Sequence, residues 1–410
     1  MIEVRAHTSL GEFDPDAMET LNLSSARASL FASPSWLGHF LAHDADFLAL
    51  GASPYLLAAW EGGALKGYLP LKATADRLGR SLSSLITLEV ERPRPVAAPE
   101  DEARVTQSFL RYLVHRADEW DMVEFVQQDE SSPLFAGPEA MTSRHWLRRL
   151  PDRQNNVLAL TFTDAAGYAG SLSRNMRHGT RKGLKGLLSA PGLTLLTAKN
   201  AAGCSALFEV VLDIERRSWK PRAGATVGAR EQTYRAALAD TSLSAMVCIA
   251  CLDGLPVAGS VWLHYGHHTY HLQTIYAESH EVLSPGVLMS WVPIADAIER
   301  RSVDFDMLPD FSHFKARWGA KTLDTQRVQI FRVGSLRHLK AVGGDFWRRV
   351  DPRRESQEPQ GKNPYKVAAG RAQGEIAVDR VRLEALLVRA RAAGAIEQDA
   401  ASLTARNPFS

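Results

Sequence analysis

Cysteine is scarce in this chain. Three residues in 410 are too few for a disulfide framework. Two of them, Cys248 and Cys251, form C-I-A-C inside AMVCIAC, which reads as a buried strand. Residues three apart on a strand face opposite ways, so a shared metal or a disulfide is excluded and core packing is expected. There is no surplus of one charge, since the net charge is +2, which argues against a general nucleic-acid binder. No apolar run approaches the roughly 20 residues that cross a bilayer. The opening MIEVRAHTSLGEFDPD carries an early acid and no apolar stretch, so a secretory signal is not expected and a cytoplasmic location is. Phosphate-loop, dinucleotide and nucleophile-elbow glycine motifs are all missing. His264, His267, His268 and His271 cluster around a turn with no evident acid or cysteine to complete a ligand set, so an exposed hairpin tip is expected and no metal.

What the chain does have is ordinary globular composition, 45% apolar and 23% charged, with material for two or three domains or one two-lobed unit. It also has an internal echo. YLLAAW-EGG-ALKGYLPL and AMVCIAC-LDG-LPVAGSVWL both read as strand pairs around a glycine turn. Each is followed by a helical segment, RVTQSFLRYLVHRADEW or GVLMSWVPIADAIERR, and then by a strand, DMVEFV or VDFDML. Order and spacing agree, which predicts two copies of one α/β unit. The expected fold is therefore α/β (α+β), with two lobes that each carry a mixed central sheet flanked by helices. Their expected extents are 1–150 and 151–340, meeting near the turn-rich stretch Leu147 to Val157. The remaining 341–410 reads as a polar linker, DPRRESQEPQGKNPYK, and one amphipathic helix, VDRVRLEALLVRARAAG, free to dock on the body, a second copy or another protein.

Several residues invite a chemical reading. Arg174, Arg177, Arg181 and Lys185 are spaced to form one cationic stripe on a helix: a solvated face, or a wall that recruits an anion. In ALFEVVLDIERRSWK, Glu215 and Trp219 continue the apolar stripe of Leu207, Phe208, Val211 and Ile214. A carboxylate there is either a general base in an apolar setting or a rim glutamate paired with an arginine. Tyr276 and Glu278 follow at the end of HTYHLQTIYAE, where the tyrosine either donates a proton or simply packs. Asp304 and Asp306, with Lys315 and Trp318 behind them, fit either a cleft or a structural ion pair.

Between them sits Ser284-Pro285-Gly286, followed by Val287 and Leu288. As a local device this is a cap and a first helical turn. It is also an anion seat: unpaired N–H groups, a positive dipole end, and a glycine that lets the anion approach. The equivalent helix in the first half starts behind Glu100, Asp101 and Glu102, which repel phosphate. The second lobe is the better anion site.

The order SRNMRHGTRKGLKGL, ERRSWK, LDGLPVAG, IYAESHEVLSPGVLM and VDFDMLPDFSHFKARWG, preceded by FASPSWLGHF, GYLPLKA and WDMVEFV, resembles the GNAT-like acetyltransferases of the cellulose-biosynthesis type. The resemblance spans Phe31 to Arg332 and leaves the tail aside. It implies two tandem acetyltransferase folds, acetyl-CoA or another acyl-CoA as co-substrate, no metal, and acyl transfer to an amine of a sugar, a polysaccharide precursor or a small metabolite. On this reading Glu215 or Asp306 is the base and Tyr276 protonates the departing thiolate. Ser284, Gly286, Val287 and Leu288 hold the pyrophosphate, and Trp219, Lys220, Glu278, Lys315 and Trp318 line the acceptor site. The chain departs from the wider family in keeping only Gly286 of the usual glycine-rich turn, and in having Ala277 where an aspartate is common. Two other readings keep the fold: a transferase resembling the FemABX enzymes, which would take aminoacyl-tRNA on the Arg174 stripe, and a non-catalytic scaffold with the C-terminal helix as its docking arm.

Overall fold

The computed structural model describes residues 1–85, 92–135, 137–139, 141–309, 313–350 and 379–399. The strands in chain order are β1 (Glu3–His7), β2 (Ser53–Glu61), β3 (Ala64–Asp76), β4 (Gly79–Ser84), β5 (Val96–Ala97), β6 (Met122–Gln128), β7 (His145–Pro151) and β8 (Asn155–Ala159). They continue with β9 (Leu193–Ala198), β10 (Ser244–Leu252), β11 (Leu255–Tyr265), β12 (His268–Tyr276), β13 (Asp304–Pro309), β14 (Lys321–Leu323), β15 (Gln326–Arg332) and β16 (Ile396–Asp399). Two units form, the first within Met1–Asn156, Leu308–Phe311 and Thr322–Gln360, the second within Val157–Met307, Ser312–Lys321 and Gly361–Ser410.

The first sheet runs β1-β2-β3-β4-β6-β15-β7, with β5 paired to β3. The second runs β14-β8-β13-β12-β11-β10-β9-β16. Both sheets are mixed and flanked by helices, as the patterning predicts. The two orders also repeat: an antiparallel run ends on a strand that pairs in parallel with the strand after a helix, β4 with β6 and β12 with β13. The segment 322–340, expected in the second lobe, contributes β15 to the first sheet between β6 and β7.

In the first unit the helix Glu102–His115 buries Val105, Phe109, Leu110 and Leu113 on one face, at the i, i+4 spacing that a 3.6-residue period requires. Each such side chain contributes roughly 1.5–3 kcal/mol. In the second unit, Ala201–Arg216 and Pro285–Glu299 both pack on β11 and β12, from opposite faces. Leu288, Met289 and Trp291 share a core cluster with Ala258 and Trp262 of β11. Gly259, one residue out of phase, lies under Val211 instead, so close that a Cβ there would come within 3.3 Å of Val211 Cγ2.

The C-terminal helix Arg380–Ala392 lies on its own unit. Asp379 caps it by accepting from the Arg382 N–H at 3.0 Å. Leu383, Leu387 and Ala390 are buried, and the helix packs against Ala201–Arg216. β16 then adds to the edge of β9. The linker read at DPRRESQEPQGKNPYK lies outside the described residues.

The histidines occupy a different setting from the exposed tip expected. β11 and β12 continue almost to their turn, so His264, His268 and His271 sit in the ladder and are buried. Two carboxylates, distant in sequence, reach them: His264 Nε2 lies 2.7 Å from Asp296 Oδ2, and His268 Nδ1 lies 2.8 Å from Asp304 Oδ1. No group of three potential metal ligands occurs among the described residues.

Candidate active site

In the second unit β12 leaves β13 partway along its length. Their parallel register holds for His268, Thr269 and Tyr270 against Asp304, Phe305 and Asp306, after which β12 runs on to Tyr276 without a β13 partner. Two backbone irregularities accompany the parting. The register of β12 against β11 shifts at Leu272, a bulge of the kind that re-aims side chains. Leu308 on β13 takes a left-handed φ of 63°, a conformation unusual for a branched side chain.

On one side of this parting lies the start of the helix Pro285–Glu299. Ser284 has φ 52° and ψ 46°, and its hydroxyl makes no capping bond. The expected side-chain cap is replaced by a backbone turn. Ser284 N–H donates to the Glu281 carbonyl at 2.8 Å, and the Ser284 carbonyl accepts from Val287 N–H at 2.9 Å. Val287 is thereby occupied and drops out of the expected anion-binding set. The Gly286 N–H group has no acceptor among the described residues, and the Leu288 N–H makes no bond to the Ser284 carbonyl. Gly286 lies against the Tyr276 ring, where a Cβ would meet Cδ1 and Cε1 at 3.6 Å. That is ordinary contact for a methyl group, but a long side chain would be forced across the ring.

The helix Arg174–Leu188 packs beside this start. Gly183 makes the approach possible, since a Cβ there would stand only 3.0 Å from Val287 Cγ2. Leu184 and Leu187 face inward, while Arg174, Arg177, Arg181, Lys182 and Lys185 are exposed. None of these five cations forms an ion pair among the described residues. A cationic face and the positive end of a second helix thus adjoin each other, and their fields add.

The other face carries the acid–base groups. Phe305 and Met307 join the core cluster with Leu288 and Trp291, so Asp306 points away from that helix by the alternation of a strand. It is fully buried. Glu215, at the end of Ala201–Arg216, is 7% exposed. Its carboxylate accepts from the Val227 N–H at 3.0 and 3.2 Å and from the Gln273 side-chain amide at 3.2 Å. Gln273 Oε1 in turn accepts from Lys220 Nζ. His271 lies nearby and buried, with Nε2 2.9 Å from Ser260 Oγ and 2.8 Å from Thr274 Oγ1. Burial pushes its pKa down to about 3, and the positive charges of Lys315 and Lys220 act in the same direction. His271 is therefore a neutral polar anchor at ordinary pH.

Glu215, Lys220 and Lys315 thus gather around Gln273, which sequence reasoning missed, and His271, which it placed at an exposed hairpin tip. A polar amide within the otherwise apolar LQTIY was the available signal for Gln273. Trp219 is half-buried at the start of the short helix Lys220–Ala223. Glu278 pairs with Arg222, with Nη1 2.7 Å from Oε2. Asp304 is held by His268 and serves the ladder. Trp318, expected at the acceptor site, belongs to the core. It is 2% exposed, stacks near Trp291 at 6.5 Å, and its carbonyl accepts from the Tyr168 hydroxyl at 2.7 Å.

Comparison with known proteins bears on the fold. A model of the acetyltransferase (GNAT) domain matches residues 174–316. No curated protein matches the chain. Among solved structures, FemX is similar at 12% identity, over 80% of this chain and 96% of its own, with a TM-score of 0.54. A conserved protein of unknown function from Bacteroides thetaiotaomicron is similar at 12% identity, over 81% and 100%, with a TM-score of 0.52. A tandem GNAT protein from the clavulanic acid biosynthesis pathway also matches, at 12% identity over 82% and 99%, with a TM-score of 0.44. At such identities the likeness to solved structures is one of fold. The chain has a GNAT-like α/β fold, and residues 174–316 are the part that resembles the acetyltransferase domain itself.

Proposed function

We propose that the second unit is an acyl-CoA-dependent N-acyltransferase, acting on an amine of a sugar, a polysaccharide precursor or a small metabolite in the cytoplasm. The observation that carries this reading is the parting of β12 from β13, with an open helix donor on one face and Glu215 on the other. The free Gly286 N–H group, the Leu288 N–H beside it, the exposed Ser284 hydroxyl and the adjoining cationic helix fit a pyrophosphate. The acyl-CoA supplies an activated acyl carbon. Glu215, or Asp306 in its place, takes a proton from the acceptor ammonium, and the amine nitrogen bonds to the acyl carbon as the carbon–sulfur bond breaks. Tyr276 gives a proton to the departing sulfur and recovers one from the acylated nitrogen, which thereby sheds its remaining extra proton to become the amide. Backbone N–H groups on the unpaired stretch of β12 polarise the acyl oxygen. Lys220, Lys315, Trp219 and Glu278 orient the acceptor, and Gln273 and Val227 hold Glu215 in place.

Acetyl-CoA binding, measured by titration calorimetry, tests the donor site. The wild type binds, and Gly286→Glu, which sets a carboxylate among the donors and against the Tyr276 ring, weakens binding at least ~10-fold, or about 1.4 kcal/mol. Absence of binding by the folded wild type, or equal affinity in the variant, overturns the proposal.

One observation favours a second reading, transfer from aminoacyl-tRNA. The five cations on Arg174–Leu188 make a larger positive face than a pyrophosphate needs, and the fold is shared with FemX. This reading requires tRNA binding that falls steeply with salt and is lost when Arg174, Arg177 and Arg181 become glutamine. Acetyl-CoA binding without such tRNA binding rejects it.

A further inference from the structure

The first unit parts its parallel strands in the same manner as the second. β4 and β6 are in register from Ser81, Leu82 and Ser83 against Met122, Val123 and Glu124, then β4 ends at Ser84 while β6 continues to Gln128. Gln127 takes a left-handed φ of 52°, beyond the last ladder pair as Leu308 is on β13. A cavity of about 480 Å³ opens at this point, closed on one side by the helix Ala45–Ala49. That is the size of a small-molecule site.

Its chemistry differs from that of the second unit. The helix that follows, Glu102–His115, starts among acids that are already paired: Asp101 with Arg104 and Lys66, Glu102 with Arg94. A polyanionic donor has no seat there. The cavity wall instead carries three carboxylates, Asp46, Glu124 and Asp152, and three cations, Lys72, Arg153 and Arg327. Part of this set is fixed structure. The Asp152 side chain is 6% exposed and accepts from the Gln127 N–H at 2.9 Å and from Arg327 at 3.3 Å. Glu124 accepts from the Gln329 amide at 2.6 Å. Lys72 and Arg153 line the space and also interact within the protein. Asp46 forms no side-chain hydrogen bond or ion pair among the described residues, and the hydroxyl of the buried Ser84 forms no hydrogen bond there. Lys72 is half-buried on β3 beside Phe47, Leu50 and Val126. Burial lowers its pKa, opposed by Asp44, Glu124 and Asp46.

A ligand bearing a single charge would meet three like charges in so small a space, all but Asp46 partly stripped of water. A ligand bearing both charges can give its ammonium to Asp46 and its carboxylate to Lys72 and Arg153, leaving its apolar portion to Phe47 and Val126. We infer that the first unit binds a compact zwitterion, an amino acid or amino-acid-like metabolite, in the cavity where β4 leaves β6. The site is separate from the donor site of the second unit.

Titration calorimetry of the intact protein against each of the common L-amino acids, with acetate and methylamine as single-charge controls, tests this. At least one amino acid binds, the controls do not, and Asp46→Asn weakens binding at least ~10-fold. Lys72→Met, which keeps the apolar stem, does the same. Acetyl-CoA affinity is unchanged in both variants, so failure here is distinguishable from failure of the donor proposal. Asp46 is exposed, and its variant therefore folds even if Lys72→Met does not. No binding by any amino acid, or equal binding by Asp46→Asn, overturns the inference.

Discussion

Glu215 was legible as a candidate because of where it falls: four residues after Val211 on the apolar stripe of its helix, a place where a carboxylate needs a reason. What the sequence could not give was that reason. The N–H of Val227 and the amide of Gln273 reach it across 12 and 58 residues, and only the folded chain joins them. Trp318 shows the converse. An aromatic among charged neighbours reads as a ligand contact, yet it fills the core because the chain turns inward beneath Trp291. For Glu215 the expected outcome of Glu215→Gln is a fall in kcat of about 10²–10⁴-fold, with KM for acyl-CoA little changed. The amide retains a carbonyl oxygen for the Val227 N–H, so the fold survives, but it accepts no proton. Steady-state kinetics decide the matter, and a kcat within about threefold of wild type moves the role of base to Asp306.

At the scale of elements, hairpins and long helices were readable because their signals are local: alternation, a glycine turn, a 3.6-residue stripe. Pairing between distant strands has no local signal. Nothing in Gln326–Arg332 announces that it inserts between β6 and β7 rather than joining the nearer sheet. Likewise, the left-handed residues Gln127 and Leu308 are invisible in a search for glycine. The C-terminal helix is an intermediate case. Its apolar stripe was plain and its partner was not. Leu387, 3% exposed on the face that meets Ala201–Arg216, supplies a test. Leu387→Ala destabilises the second unit by about 2–4 kcal/mol, measured by urea denaturation. An unchanged transition means that the helix is not docked there, and that its apolar face is available to another molecule.

For the whole molecule, the internal echo proved the most informative feature, because two copies of one unit let each interpret the other. Their sheets follow the same order and their parallel strands part at the same point. The differences between them are electrostatic: paired acids at one helix start, a free N–H group and a cationic neighbour at the other. A second consequence is uneven response to acid. His271 and His264, both in the second unit, are buried and hold their pKa below the usual histidine range, burial being the main cause in each. A depressed pKa in the folded state means that the unfolded chain binds more protons, so stability is complete above about pH 6.5 and declines as pH falls. For His271, with a folded pKa of about 3, linkage gives a loss of about 2 kcal/mol between pH 7.5 and pH 5. Among the histidines of the first unit only His145 has a resolved depression, and it lies nearer the surface. Urea denaturation at the two pH values therefore moves the second unit's transition more than the first's. His271→Gln, which cannot take up the proton, removes about 2 kcal/mol of that pH dependence even if it lowers stability at pH 7.5. If wild type and variant lose stability equally on acidification, His271 is not buried in the neutral form, and the polar anchor assigned to it beside Lys220 and Lys315 is wrong.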